Sequence, residues 1–329
     1  MEPEFSNPTL MLTPEHVGDL LIDPHEHPRE QPHLSAASGL VQVKNRLYVV
    51  SDDEHHLGIF AAPTDADTDA DADAGADTQL MPRGELFRIF EGDLPLGKKQ
   101  RKLAKPDLET LTVLAPLPGC PFGALLAFGS GSLPSRETGV LIALDAAGGL
   151  SGRVAHVDLG ALYAPLREQF ADLNIEGAFY ASGELRLLQR GNKGDARSAC
   201  ISFDWNQMAP WLAGQQRLPP KQKSVQIIVL GDIGGVPLSL TDGTALAHGA
   251  WAFCAVAENT ADSFSDGPCA GSAVGVVAPD GTVRVMHGLS GNPKVEGISA
   301  QAIGEKLVLT LVTDADDPAK ASKLLRVRL

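Results

Sequence analysis

The sequence predicts an all-β chain folded as a single β-propeller, and three observations carry that prediction. Helix signals are few. Only Ala161–Phe170 and Trp205–Gln215 show helical patterning, and each contains a proline (Pro165, Pro210) that shortens or kinks a helix. The 34 glycines and 23 prolines cut the rest into short apolar runs, with turn dipeptides such as Ser182-Gly183 and Asp280-Gly281 between them. Finally, a degenerate unit of several short strands recurs along the chain, the signature of blade repetition.

Each unit opens with a small or acidic residue, followed by a glycine-apolar or similar step. The openers are Ser38-Gly39-Leu40, Glu109-Thr110-Leu111, Glu176-Gly177-Ala178, Asp242-Gly243 and Glu296-Gly297-Ile298. They are spaced by 71, 67, 66 and 54 residues. A strongly apolar second strand follows each one: Leu47–Val50, Ala124–Phe128, Leu185–Leu188, Trp251–Ala257 and Leu307–Val312. These are apolar on both faces, as suits a strand covered on each side by a neighbouring blade. Further strands fit Gly139–Leu144, Ser198–Phe203, Val225–Leu230, Ser272–Ala278, Thr282–Met286 and Lys323–Arg328. The last unit is one strand short. The segment 1–34 is expected to supply the missing strand, from either Thr9–Leu12 or Val17–Ile22, and so close the ring of the domain at 35–329. Five blades is the preferred count, and six follows if the N-terminal segment gives more than one strand. A two-sheet sandwich is the rival architecture.

Composition excludes several function classes. The chain has 329 residues, a hydrophobic content of 43% and a net charge of −14. An acidic balance argues against a broad surface for DNA or RNA, which needs clustered Lys and Arg. No apolar run reaches the roughly 20 residues of a membrane span. The start, Met1-Glu2-Pro3-Glu4-Phe5, lacks the basic and apolar regions of a secretory signal, so a cytoplasmic location is expected. Cys120, Cys200, Cys254 and Cys269 form no CxxC pair, which points to inert thiols in a reducing compartment. A monomer is expected, and no protein partner is specified.

Six of the acids fall in one stretch, Thr64 to Thr78, which reads TDADTDADADAGADT. Against an EF-hand loop opened at Asp69, the glycine comes one residue late at Gly75 and Leu80 stands where the closing Glu belongs. A disordered insertion is the preferred reading, because alternating Asp and Ala leaves no apolar face.

The runs Ser38-Gly39-Leu40 with Leu47–Asp52, Ile175-Glu176-Gly177 with Leu187–Asn192, and Val295–Ile298 with Leu311–Asp314 resemble the repeated opener and second strand of esterase-like phytase propellers. The chain from Ser35 to Leu329 is similar to bacterial propeller proteins related to them. The resemblance implies a propeller with polar residues at one mouth of its channel. In some relatives that mouth holds calcium and performs ester, lactone or phosphoester hydrolysis. No catalytic residue carries over, since no short catalytic signature is matched.

Topology selects the candidate residues. In an antiparallel blade the start of the innermost strand lies beside the end of the second. Glu109, Glu176, Asp242 and Glu296 should therefore share a rim with Asp52, Asp53, Ser130, Arg190, Asn192, Glu258, Asp314 and Asp316. Glu109, Glu176 and Glu296 are the catalytic candidates, as metal ligands or as bases acting on bound water. Asp242, Asp314 and Asp316 are candidate ligands of Ca²⁺ or Mg²⁺, which prefer oxygen. Asp53, His55, Ser130, Arg136, Arg190, Asn192 and Glu258 are candidate ligand-binding residues. An alternative role for an opener acid is a brace that accepts backbone N–H bonds from the adjoining blade. Lys102, Lys105, Arg136 and Arg190 would attract an anionic ligand such as a phosphate. Gly92–Lys99 fails as a phosphate loop because Lys99 replaces its Ser or Thr, and Gly129-Ser130-Gly131-Ser132 is not a nucleophile elbow. Non-catalytic binding of a small ligand at the axial mouth is the preferred function; the alternative is a metal-dependent hydrolase of a small phosphoester, ester or lactone.

Overall fold

A computed structural model describes residues 10–63, 81–263 and 267–329, so the acidic insert at 64–78 lies outside the described residues. Five antiparallel blades surround one axis. Blade 1 runs from the axis outward as Ala37–Val43, Arg46–Ser51, His56–Ala61 and Glu85–Arg88. Blade 2 is Thr112–Leu114, Ala124–Phe128, Thr138–Leu144 and Leu150–Asp158; blade 3 is Ile175–Ala181, Glu184–Gln189, Ser198–Asp204 and Ser224–Ile228. Blade 4 is Ser239–Ala245, Trp251–Glu258, Cys269–Val277 and Val283–Leu289. Blade 5 takes Val295–Ile303, Lys306–Thr313 and Lys323–Arg328 from the C-terminal end of the chain.

The ring closes through Glu15–Asp19, which pairs antiparallel with Lys323–Arg328 as the outer strand of blade 5. The sequence offers two alternative closing segments, and the chain uses both regions. Met11–Leu12 adds a parallel strand to the outer edge of blade 4. Exposed edge hydrogen bonds on two blades are thereby covered.

Apolar strand faces explain the radial packing. Five hydrophobic clusters fill the five spaces between blades. The second strand of blade 4, Trp251–Glu258, is buried along its whole length, as a strand flanked by two blades must be. Two helices, Gly160–Arg167 and Trp205–Leu212, cap the core between blades 2 and 3 with Leu162, Tyr163, Leu166 and Met208. Both end earlier than their sequence patterning predicts. A third helix, Lys98–Ala104, has no apolar periodicity to announce it and buries only Arg101.

Every inner strand carries a register shift near its start, and the shifts set the alignment of the blades. Pairing skips Ser38, Glu176, Thr241 and Glu296. In blade 2 the Glu109 and Thr110 amides both donate to the Phe128 carbonyl, marking the same irregularity. Thr241 is therefore the blade 4 equivalent of the three glutamates. Asp242 falls one place on, where blades 1, 3 and 5 have Gly39, Gly177 and Gly297. Those glycines permit close approach of inner strands: a Cβ on Gly177 would lie 2.8 Å from the Asp242 Cα, and one on Gly39 would lie 2.8 Å from the Leu111 nitrogen.

Replacing Gly177 by Val should therefore force adjacent inner strands apart and cost about 1–3 kcal/mol. Urea unfolding should show a lower midpoint with an unchanged slope.

Candidate ligand site at the axial mouth

Four bulged residues, Ser38, Glu109, Glu176 and Glu296, and four that lie two places before a bulge, Asp107, Asn174, Ser239 and Lys294, line a cavity of about 90 Å³ at one end of the axis. The blade 4 bulge residue, Thr241, is buried and donates to the Val295 carbonyl. Ala36 and Asp107 both reach their places through left-handed backbone, with φ of 55° and 57°. Asp tolerates that conformation better than most side chains.

Nine carboxylates and five basic groups line the cavity among the described residues. They fall into stations, each built round one cation. Arg190 reaches Glu176 at 3.1 Å, Glu258 closely, and Glu296 at 3.8 Å, joining blades 3, 4 and 5. Lys294 sits 2.6 Å from Asp316, 3.4 Å from Glu296, 3.8 Å from Glu258 and 3.9 Å from Asp314. Lys105 contacts Asp52 closely and Asp107 at 2.8 Å, and Arg136 reaches the other Asp107 oxygen at 2.8 Å. Lys102 and Asp262 complete the charged lining.

This arrangement leaves acid in excess, and protonation reflects it. Burial lifts Glu296 to about 7, with Arg190 and Lys294 opposing the rise. Burial likewise lifts Asp52 to about 6 against the pull of Lys105. Glu109 is raised well above the usual carboxylate range by burial and by Glu176, Asp107 and Asp52. Among the described residues its carboxylate makes no hydrogen bond or ion pair. Glu296, 5% exposed, also points one buried oxygen, Oε2, at no hydrogen-bond donor.

Of the residues singled out in the sequence, Glu109, Glu176, Glu296, Arg136, Arg190, Asn192, Glu258, Asp314 and Asp316 line this cavity together with Asp52. Asn192 is already engaged: its Nδ2 donates to Asp172, in the segment before the inner strand of blade 3, at 2.5 Å, and its Oδ1 accepts from the Gly194 and Asp195 amides of its own loop. Asp314 Oδ1 accepts from the Asp316 amide at 2.7 Å, giving a turn that Lys294 neutralises. Ser130 lies behind the wall and donates to Asp107 at 2.5 Å.

Three candidates sit elsewhere. Asp242 lines no part of the mouth: its Oδ2 accepts from the Ile298 amide of blade 5 at 3.0 Å, so it takes the bracing role between inner strands. Its placement one residue past the bulge is the physical reason. Asp53 faces outward to Arg29 and Arg101, at 3.5 and 3.1 Å. His55 bonds the Gly92 carbonyl at 3.1 Å and stacks against Phe90, away from the axis.

Asp107, Asn174, Ser239 and Lys294 were missed as site residues. Asp107, Asn174 and Lys294 lie two places before the openers Glu109, Glu176 and Glu296, so the repeat that reveals those openers marks them too; Ser239 lies two places before Thr241, which only the strand pairing identifies. Lys102, Lys105, Arg136 and Arg190 were expected to gather an anion, but Lys105, Arg136 and Arg190 are taken up by carboxylates.

Fold and mouth together define a five-bladed β-propeller with a charged axial cavity. The chain belongs to a family of unknown function, DUF6929, whose model matches residues 33–329. No curated protein sequence matches it. Among solved structures it is similar to the glutaminyl cyclase of Myxococcus xanthus, with 10% identity, 98% of each chain covered and a TM-score of 0.44. It is also similar to an α-L-arabinofuranosidase of Podospora anserina, with 11% identity, 98% of this chain and 97% of that one covered, and a TM-score of 0.48. Neither activity transfers to this chain. No helix among the described residues is long and apolar enough to cross a membrane.

The Glu296 shift makes a pH prediction. Its folded pKa of about 7 lies above the ordinary 4.5. The stability it contributes is therefore present below about pH 4 and lost as pH rises through 7. Comparing Glu296→Gln with wild type between pH 5 and 8, the variant should gain relative stability as pH rises. A constant difference across that range would contradict the assignment.

Proposed function

We propose that the protein is a non-catalytic binding propeller whose axial mouth takes a small cation. The observation that carries this reading is the Glu109 carboxylate, without a hydrogen bond or ion pair among the described residues, in a cavity where the described carboxylates outnumber the described basic groups. Size agrees. A cavity of about 150 Å³ accommodates one benzene ring, and organic-ligand pockets run to several hundred. A space of about 90 Å³ suits an ion or an ammonium-sized group. Small cations bound there would interact with Glu109 and with Glu296 Oε2, and would oppose the burial and like-charge repulsion that raise the pKa values of those groups.

Thermal unfolding with Ca²⁺, Mg²⁺ or methylammonium tests the reading. One of these should raise the melting temperature saturably, by about 2.7 kcal/mol of stability at a hundredfold excess over Kd. Glu109→Gln should remove most of the shift. A flat response to all three contradicts the proposal.

A second reading is favoured by one observation. Oxygen atoms of Asp52, Asp107 and Glu109 all lie within 4.8 Å of one another, a spacing that a divalent ion can bridge. Together with the resemblance to esterase-like phytases, this supports a Ca²⁺- or Mg²⁺-dependent hydrolase of a small phosphoester, ester or lactone. In that case a carboxylate beside the ion would accept a proton from its bound water. Metal-dependent turnover of a phosphoester or lactone panel, abolished in Glu109→Gln, would establish it. Absence of turnover with every metal would leave the binding reading alone.

A further inference from the structure

The helix Lys98–Ala104 follows the outer strand of blade 1 and precedes the inner strand of blade 2, and its Lys102 lines the axial cavity. Its manner of attachment is unusual. Its one buried side chain is Arg101, which donates to Asp53 Oδ2 at 3.1 Å and to the Pro95 and Leu96 carbonyls at 3.2 and 2.9 Å. The Lys102 carbonyl accepts from Arg136 at 3.1 Å. Lys105, just past the helix, plants its ammonium on Asp52 and Asp107. The apolar residues that might anchor such a segment do not: Leu96 is 77% exposed and Leu103 is 63% exposed. Charge and hydrogen bonding therefore hold this segment, where most elements are held by apolar burial.

The same segment divides two spaces. A second cavity of about 80 Å³ lies beside the axial one. Asp52, Lys102, Lys105, Asp314 and Asp316 line both, so they form a shared partition. Two of those five residues, Lys102 and Lys105, belong to the helix or its immediate end.

We propose that Lys105 is a displaceable internal cation: its ammonium fills the Asp52–Asp107 station until an incoming small cation replaces it, and its departure frees the Lys98–Ala104 helix and opens the partition. The proposal rests on the cation reading above and adds how the site is regulated. The ammonium of Lys105 is itself a small cation seated among axial carboxylates, with Glu109 in the same cluster. Withdrawing it unreplaced would leave Asp52 without its cation and Asp107 with Arg136 alone, which is unfavourable in so acidic a cavity. Withdrawal coupled to entry of another cation avoids that penalty. The exchange is therefore coupled: cation in, lysine out, helix released. Opening the partition joins the two cavities and gives the mouth room for a larger cationic ligand than the closed form admits.

Hydrogen exchange of the amides at 98–105, followed by mass spectrometry, tests this beside calorimetric titration with Mg²⁺, Ca²⁺ and methylammonium. In wild type the cation that binds should speed exchange of this segment by roughly tenfold or more while the blade strands stay protected. Lys105→Met, lacking the competitor, should bind that cation roughly tenfold tighter or better. Arg101→Met, which spares every residue of the cation station, should speed exchange of the segment without added cation and keeps the test available if Lys105→Met does not fold. Equal affinity in wild type and Lys105→Met, with unchanged exchange on binding, overturns the displacement and leaves the cation reading standing. Binding by neither protein removes the cation reading and the displacement with it.

Discussion

Carboxylates gathered round one axis must be neutralised, and that constraint shapes the working end of this molecule. Five inner strands converge there, and in four of them the bulge turns an opener residue, Ser38, Glu109, Glu176 or Glu296, toward the cavity. Repulsion among acids placed so close is offset by protein cations drawn from different blades. Arg190 spans three blades, Lys294 gathers four carboxylates, and Lys105 reaches in from just past a helix outside the blades. The balance is incomplete. Among the described residues the Glu109 carboxylate makes no hydrogen bond or ion pair, and burial raises the pKa values of Glu109, Glu296 and Asp52. A buried charge that is neither paired nor protonated is costly, so the cavity must hold protons or take up a cation.

The rest of the propeller makes this concentration of charge affordable. Five apolar cores between the blades carry the stability, and the ring is shut by an N-terminal strand. Because those cores lie between the sheets, the mouth is free to be polar. Asp242 shows a bracing acid beside the ligand-facing ones: it sits one residue from the bulge and ties blade 5 through the Ile298 amide. Position relative to the bulge decides which job an inner-strand acid does.

Much of this was legible in the sequence. The five openers and their apolar second strands gave the blade count, and the antiparallel pairing rule brought Glu109, Glu176, Glu296, Arg190 and Glu258 to one end. Register was the weak point. Periodicity alone placed Asp242 with the glutamates, because a shift of one residue is invisible without the pairing, and the glycines at the equivalent position were read as part of the opener. His55 was misplaced because nearness to a strand end does not say which way a loop turns. The pairing of bases with acids was also hidden, since a run such as Lys98–Lys105 looks like a solvated linker until its far end is seen to enter the mouth. The helix there escaped notice for the same reason: it has no apolar face.

The account stands or falls on a cation at the axis. Anomalous difference maps from crystals soaked in Mn²⁺, and separately in Rb⁺, would test it most directly, one standing for divalent and the other for monovalent cations. The account predicts a peak against the Glu109 carboxylate in at least one map, with the Lys105 ammonium moved off Asp52 and Asp107. Two maps empty at the axis, with Lys105 still seated between those aspartates, would contradict it.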